Sequence, residues 1–524
     1  MSSVATGVTA ERAPSAGPVS APLRRPARVV LGLVFAAALA VRLFAVSDSP
    51  LTFHPTRQYL GLRIARARYF AGRSDIPAPV LRAVQVNARS APQLEPHFME
   101  AAVVTGYHVL GGERIWLGGT LSSLLWVVLG GWSLFLLARR LASDLAAVVA
   151  LAFHLFAPYA VIASRTFQPD PAMVAVMLAA ILAMLRHHDD PKASTLVRAG
   201  LLAAIAILIK LTVIFAVMGA IAALAISRGG LRRGLVHRRT VALVALASAP
   251  PAVFYVHAVA RGTAASSNAE TSFIPNLLGQ AAYWRGWFHI VDGTVSVVLA
   301  LCAISAIVLG RRREARFLVA GLFAGYLVYG LVFDYHIHTH DYYSLQLLPI
   351  VGLGLGVAAD AAVVRIRGMQ LRPVTRPVLA VAVAGLAGSL LWASLDAARL
   401  RASPSPAAVA AQSERIGELV SHSTHVVTLA PAYGWPLGFY GSLSGSSWPS
   451  NASGDFRQMQ LLGEAIPTSR RMLDDVVRSG AEWFIVTDLD ELARQRDLEA
   501  LLDSRARLAG RGAGYLVYDL RPHG

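Results

Sequence analysis

Ala163-Ser164-Arg165-Thr166-Phe167-Gln168-Pro169-Asp170-Pro171 is a short polar stretch with a long apolar run on either side. Its arginine and aspartate therefore lie at or near a membrane boundary, where ionisable side chains are costly and tend to be functional. Pro169 and Pro171 bias the backbone around Asp170 away from continuous helix. Two readings compete. Arg165 and Asp170 are either solvated caps on a tight turn between two spans or working groups of a cleft at the membrane surface.

Composition decides what kind of chain surrounds this stretch. Its 524 residues are 55% hydrophobic and 15% charged, with a mean hydropathy of +0.52, whereas a soluble domain is about 25% charged. This is the composition of an α-helical polytopic membrane protein. The formal charge of +17 invites a nucleic-acid partner. The basic residues, however, sit in short loops between apolar runs, which is the positive-inside pattern and argues for membrane lipids instead. Cys302 is the only cysteine, so no intrachain disulfide forms.

Residues 1–27 are rich in Ala, Ser, Pro and Arg and read as a disordered cytoplasmic amino terminus. Arg24, Arg25 and Arg28 precede an apolar run at 29–46. A cleaved signal peptide is the rival reading of that run, but its length and the spans that follow favour a first membrane helix. Further spans are predicted at 115–138, 144–163, 171–186, 197–209, 211–227, 240–260, 291–310, 316–334, 343–363 and 376–397, about eleven in all. The clusters Arg139-Arg140, Arg186 to Arg198, Arg228 to Arg239, Arg311 to Arg313 and Arg365 to Arg376 then share one side. This predicts a multi-pass cell-membrane protein with its amino terminus inside. From about 401 to 524 the apolar runs shorten to strand length, as in Val426 to Leu429, Trp483 to Thr487 and Gly514 to Tyr518. Helix-like segments at 455–478 and 488–506 lie between them, predicting a small extracytoplasmic α/β domain.

The outer side collects the chemistry. In the loop 47–113, Arg57, Arg63, Arg66 and Arg68 lie beside Tyr59, Leu60, Ile64, Tyr69 and Phe70, suiting an amphipathic helix in the headgroup plane. Basic residues outside need a reason, and an anionic headgroup or lipid phosphate supplies one; snorkelling is the plainer alternative. The same loop holds His54, Glu95 and Glu100. A carboxylate such as Asp170 or Glu95 can act as a general base or hold a divalent metal, and a guanidinium such as Arg165 suits phosphate. Lys210, between two apolar runs, either snorkels or meets an anion. The segment 334–343 packs three histidines and two aspartates into its first eight residues. If extended, it presents His336, His338 and His340 on one face, a pattern resembling a metal site; a polar loop with histidines at the interface is the plainer alternative. His340, Asp341, Tyr342 and Tyr343 offer donors for a phosphate or sugar. No nucleotide-binding loop is present, which argues that the energy arrives with the substrate.

In this order and on this side, the features resemble the GT-C glycosyltransferases that use polyprenyl-phosphate sugars, in the branch of protein O-mannosyltransferases and lipid A aminoarabinose transferases. The resemblance covers roughly residues 28–400. It rests on His54-Pro55 opening a long first loop, Glu95 to Gly112 before the second span, Ser164 to Asp170, Lys210, and His340 to Tyr343. It implies inverting transfer of a sugar from a polyprenyl phosphate to an extracytoplasmic acceptor, with an acidic base. It also implies a phosphate held by Arg57, Arg165, Lys210 and the His340/Tyr343 region, and it leaves room for a divalent metal. Family members commonly carry Asp-Glu directly after His-Pro, where this chain has Thr56-Arg57. Either Asp170 or Glu95 supplies the base, or the chemistry has changed. Two other readings stay open: a lipid or anionic-solute transporter, which places its polar groups near the midplane, and a non-catalytic glycan-binding envelope protein.

Overall fold

The computed structural model describes residues 25–44, 46, 53–92, 95–261, 273–367, 388–389, 391–393, 395–397 and 406–522. The amino-terminal 24 residues and most of the predicted span at 376–397 lie outside them. Among the described residues, seven helices are long and apolar enough to cross a membrane. They are α1 (Arg25–Leu43), α5 (Leu117–Leu141), α8 (Pro169–Asp189), α10 (which begins at Leu211 with a 3-10 turn and continues as Ile214–Gly229), α11 (Arg238–Ala260), α14 (Arg313–Val332) and α16 (Leu347–Arg367, preceded by a short turn from Asp341). Residues 281–309 make an eighth only as a bent pair, α12 (Ala281–Val295) and α13 (Val297–Leu309), which turn by 83° at Ser296.

Two of the eleven predicted spans are shorter among the described residues than expected, and one, at 376–397, lies mostly outside them. The predicted span at 144–163 is two short helices, α6 (Asp144–Phe156) and α7 (Pro158–Ala163), separated where Pro158 starts a new helix. The predicted span at 197–209 is α9 (Ala193–Ile209), 17 residues long. At 1.5 Å per residue, about 20 residues are needed to span the hydrocarbon core.

The bundle is built around α8, the most enclosed of the long helices. It packs on α9, and α9 on α11; α10 pairs with α14, and α6 with α16. Lys210 breaks the chain between α9 and α10 with an extended backbone (φ −158°, ψ 122°).

The loop before α5 carries α2 (Pro55–Phe70), α3 (Ala78–Arg89) and α4 (Phe98–Leu110). The expectation of an in-plane amphipathic α2 is corrected, because Gln58 through Ala65 are all buried. Its arginines serve protein contacts. Arg66 pairs with Glu113 at 2.8 Å, donates 2.5 Å to the Phe439 carbonyl and lies 3.4 Å from the centroid of the Phe439 ring. Arg63 donates to the Asn87 carbonyl and covers the Trp435 ring. Arg68 contacts the His97 ring.

Phe439 and Trp435 belong to the carboxy-terminal region, where α17 (Pro406–Leu419) precedes a five-stranded mixed sheet of order β2-β1-β3-β5-β4. The strands are β1 (Val426–Leu429), β2 (Gly445–Ser447), β3 (Trp483–Val486), β4 (Arg507–Gly512) and β5 (Tyr515–Asp519). β1 runs parallel to β2 and β3, while β5 runs antiparallel to β3 and β4. The crossover between β1 and β2 carries α18 (Trp435–Tyr440), the piece that rests on α2.

Candidate active site

The stretch 164–170 is a buried, heavily bonded turn. Arg42, at 1% exposure, reaches from α1 to donate 2.7 Å to Ser164 Oγ. The Phe167 amide donates 3.0 Å to Gln58 Oε1 on α2, and Gln58 Nε2 in turn donates 2.6 Å to the Phe53 carbonyl. Gly119 on α5 allows the turn to come close, since a Cβ there would sit 2.2 Å from the Arg165 carbonyl oxygen. Pro169 then opens α8, a position that needs no amide hydrogen, and sets Asp170 in its first turn.

Asp170 is 1% exposed, so it is not a solvated cap. Its Oδ1 accepts 2.7 Å from Lys210 Nζ, and its buried Oδ2 has no hydrogen bond among the described residues. The Lys210 ammonium also lies 4.8 Å from the Tyr342 ring centroid and 4.4 Å from that of Tyr343. Arg57 ion-pairs with Glu95. Burial opposes the charge on the Arg57 guanidinium, but Glu95, Tyr342, Asp170 and Tyr343 together raise its proton affinity above the ordinary value, so it stays a cation. Two cations, each balanced by a carboxylate, thus converge with two tyrosines at one end of the bundle.

His54 stands beside them. It precedes α2 in the left-handed region (φ 42°, ψ 61°), and its Nε2 lies 2.5 Å from Asp341 Oδ1, across 287 residues of sequence. Its ring meets Tyr342 edge-on at 4.6 Å and lies 6.3 Å from the His340 ring. The His54 and Asp341 side chains are 28% and 38% exposed, much more open than Asp170 at 2%. Ile274 and Tyr283 reach the 334–338 segment: Asp334 accepts from the Ile274 amide at 2.9 Å, and the Tyr283 ring packs against His338.

The metal reading of His336 and His338 is corrected. The segment is not extended; Asp334–Ile337 is a helical turn, α15. His336 stacks on Tyr343, whereas His338 Nδ1 lies 2.7 Å from the Asp334 carbonyl. Among the described residues no group of three His, Cys, Asp or Glu side chains is arranged to hold a metal ion, so the donors present do not fit a protein-held metal centre. Burial pushes the imidazolium of His336 down to about 3 and that of His340 to about 4, helped by neighbouring histidines and Lys210. Both rings are neutral at pH 7 and can serve only as neutral hydrogen-bonding groups.

Arg165 faces elsewhere: its Nη2 donates 2.5 Å to the Phe44 carbonyl at the end of α1. Glu100 lines a narrow crevice with Arg57, Glu95 and Gln168. Its carboxyl is raised to about 7, mainly by burial and further by Glu95. Sequence reasoning passed over Gln168, whose buried Nε2 has no hydrogen bond among the described residues. It also passed over Tyr159, a partly buried ring whose buried hydroxyl lies near Asp341. Gln168 sat in the decisive stretch itself; Tyr159 gave no signal inside an apolar run.

Residues 96–255 match the family model for dolichyl-phosphate-mannose-protein mannosyltransferase. No curated protein matches the chain in sequence. Among solved structures, the chain is similar to ArnT from Cupriavidus metallidurans bound to undecaprenyl phosphate. The two share 17% identity and a TM-score of 0.60, over 94% of this chain and 98% of that one. ArnT in the apo state gives 18% identity and a TM-score of 0.59, over 95% and 98% of the two chains. The archaeal oligosaccharyltransferase AglB from Archaeoglobus fulgidus, in complex with an inhibitory peptide and a dolichol-phosphate, is more distant. It shows 11% identity and a TM-score of 0.51, over 88% of this chain and 69% of that one. With its membrane helices, its buried cluster at one end and its carboxy-terminal sheet, this chain has the GT-C fold.

Proposed function

We propose that this protein is a membrane glycosyltransferase that moves a sugar, with inversion, from a polyprenyl phosphate to an extracytoplasmic hydroxyl acceptor. The observation that carries this reading is the convergence of Lys210 and Arg57 with Tyr342 and Tyr343 around Asp170. Lys210, Arg57 and the tyrosine hydroxyls hold the donor phosphate and stabilise the charge it gains as leaving group, commonly the largest catalytic contribution. Asp170 and Glu95, each bound to a cation, orient those cations. The orphaned Asp170 Oδ2 and Gln168 Nε2 are the kind of buried polar atoms a polar ligand satisfies.

The acceptor oxygen attacks the anomeric carbon from the face opposite the phosphate. The new glycosidic bond forms as the carbon–phosphate-oxygen bond breaks, and the phosphate leaves with the electron pair. His54 takes the acceptor proton on Nδ1 while Asp341 accepts from Nε2–H and fixes the tautomer. His54 thereby fills the role that Thr56-Arg57 cannot, and it is the more accessible basic group. In this reading the cluster faces outward, the amino terminus lies in the cytoplasm, and the carboxy-terminal domain lies outside.

The test is transfer by the detergent-purified protein from undecaprenyl-phosphate mannose and undecaprenyl-phosphate arabinose to the envelope fraction of a deletion strain. Sugar transfer is expected with one donor and is expected to drop at least 100-fold in K210M and in R57Q. Failure of the wild type to release free undecaprenyl phosphate from either donor counts against the reading.

A further inference from the structure

The end of α8 opposite Asp170 holds a second feature, which the sugar-transfer reading does not use. A cavity of about 490 Å³ opens there between α8, α10 and α11. Arg228, Arg233, Arg239, His187, His188 and His237 line it, and no carboxylate does. Arginines in loops on one side are expected of any membrane protein, but convergence on one cavity without a counter-charge is not, because like charges close together repel.

The acids nearby are already committed: Asp189 pairs with Arg140 at 2.6 Å and Asp190 with Lys192 at 2.8 Å. The side chains are also partly fixed. Arg228 Nη1 donates 3.0 Å to the His188 carbonyl, and Gly234 brings the loop against α10, where a Cβ would meet the Ala225 carbonyl oxygen at 2.2 Å. Both ring nitrogens of His188 are buried with no hydrogen bond among the described residues, although Asp189 Oδ1 lies 3.8 Å from its Nδ1. Deeper in, Met184, Ile221 and Leu224 make the wall apolar. The volume falls within the range of sites for small ligands, about 300–1,000 Å³.

We propose that this cavity binds a phosphate-bearing anion, the guanidinium groups of Arg228, Arg233 and Arg239 taking the phosphate oxygens. The ligand chemistry is a phosphate mono- or diester. The source is an anionic phospholipid headgroup whose chain lies on the apolar wall, or a soluble phosphate. The site is separate from the donor site, about 27 Å away along α8 at 1.5 Å per residue.

The experiment measures thermal unfolding of the full chain in neutral detergent with added dioleoyl phosphatidylglycerol, dioleoyl phosphatidylcholine or inorganic phosphate. Wild type is expected to gain several degrees with phosphatidylglycerol and none with phosphatidylcholine. R233Q/R239Q, which keeps Arg228 on the His188 carbonyl, is expected to lose the gain while unfolding at an unchanged temperature without lipid. A gain with inorganic phosphate that the variant also loses supports a soluble source. The same gain in wild type and variant, or no gain with either anion, overturns the proposal. Should R233Q/R239Q fold poorly, A225W, which fills the cavity and leaves every arginine in place, is expected to lose the gain in the same way.

Discussion

At the residue scale, His54 is the proposed base. Asparagine tolerates the left-handed backbone of this position and keeps a polar group beside Asp341 but cannot accept the proton. H54N is therefore expected to lower kcat at least 100-fold with little change in donor KM. A raised KM at unchanged kcat would make His54 a phosphate ligand instead. Glu100 predicts a pH effect on stability. Its carboxyl is raised from 4.5 to about 7 in the folded protein, so the folded state binds the proton more tightly than the unfolded state. The stabilisation is complete below about pH 4.5 and is lost as pH rises through 7. Unfolding temperatures measured between pH 5 and 8 should fall with pH in the wild type and fall less in E100Q.

At the element scale, two contacts hold the site's walls. The turn 164–170 depends on close approach to α5 at Gly119. G119A forces a methyl against the Arg165 carbonyl, which is expected to cost about 1–3 kcal/mol and to raise donor KM by displacing Asp170 and with it Lys210. Chemical denaturation and donor titration check the two effects. Arg66 joins α2 to α18 through its ring contact and its hydrogen bond to Phe439, and its pair with Glu113 ties the same side chain to the segment before α5. R66A is expected to cost roughly 2 kcal/mol and to speed proteolytic release of the carboxy-terminal region; unchanged digestion would mean that the domain is held mainly elsewhere.

The sequence made the spans legible because apolar runs are local, and Asp170 and Lys210 because charges beside such runs stand out. Arg63 and Arg66 were misread because their partners lie far along the chain, where no local pattern reports them. The metal alternative for the histidines of 334–340 fails because a period of two holds only for extended backbone, and α15 is helical. His54 and Asp341 were each picked out, but nothing in their spacing said that they bond to one another.

At the scale of the whole molecule, a membrane divides two ends of one bundle. T339C lies at the end with the cluster and A193C at the opposite end, both at exposed positions. In a C302S background, a membrane-impermeant maleimide added to intact spheroplasts is expected to label T339C and to spare A193C until the membrane is opened. The reverse pattern would turn the site inward and remove extracytoplasmic acceptors from consideration. The run of buried residues along α2 carries a consequence of its own. Its first turn bears Arg57, its later turns bear the arginines gripped by α18, and no break separates them. A rigid strut transmits displacement from tip to tip, so a macromolecule seated on the sheet would be mechanically linked to Arg57. Exchanging this carboxy-terminal module for another would require retuning the Arg57 end of α2 as well.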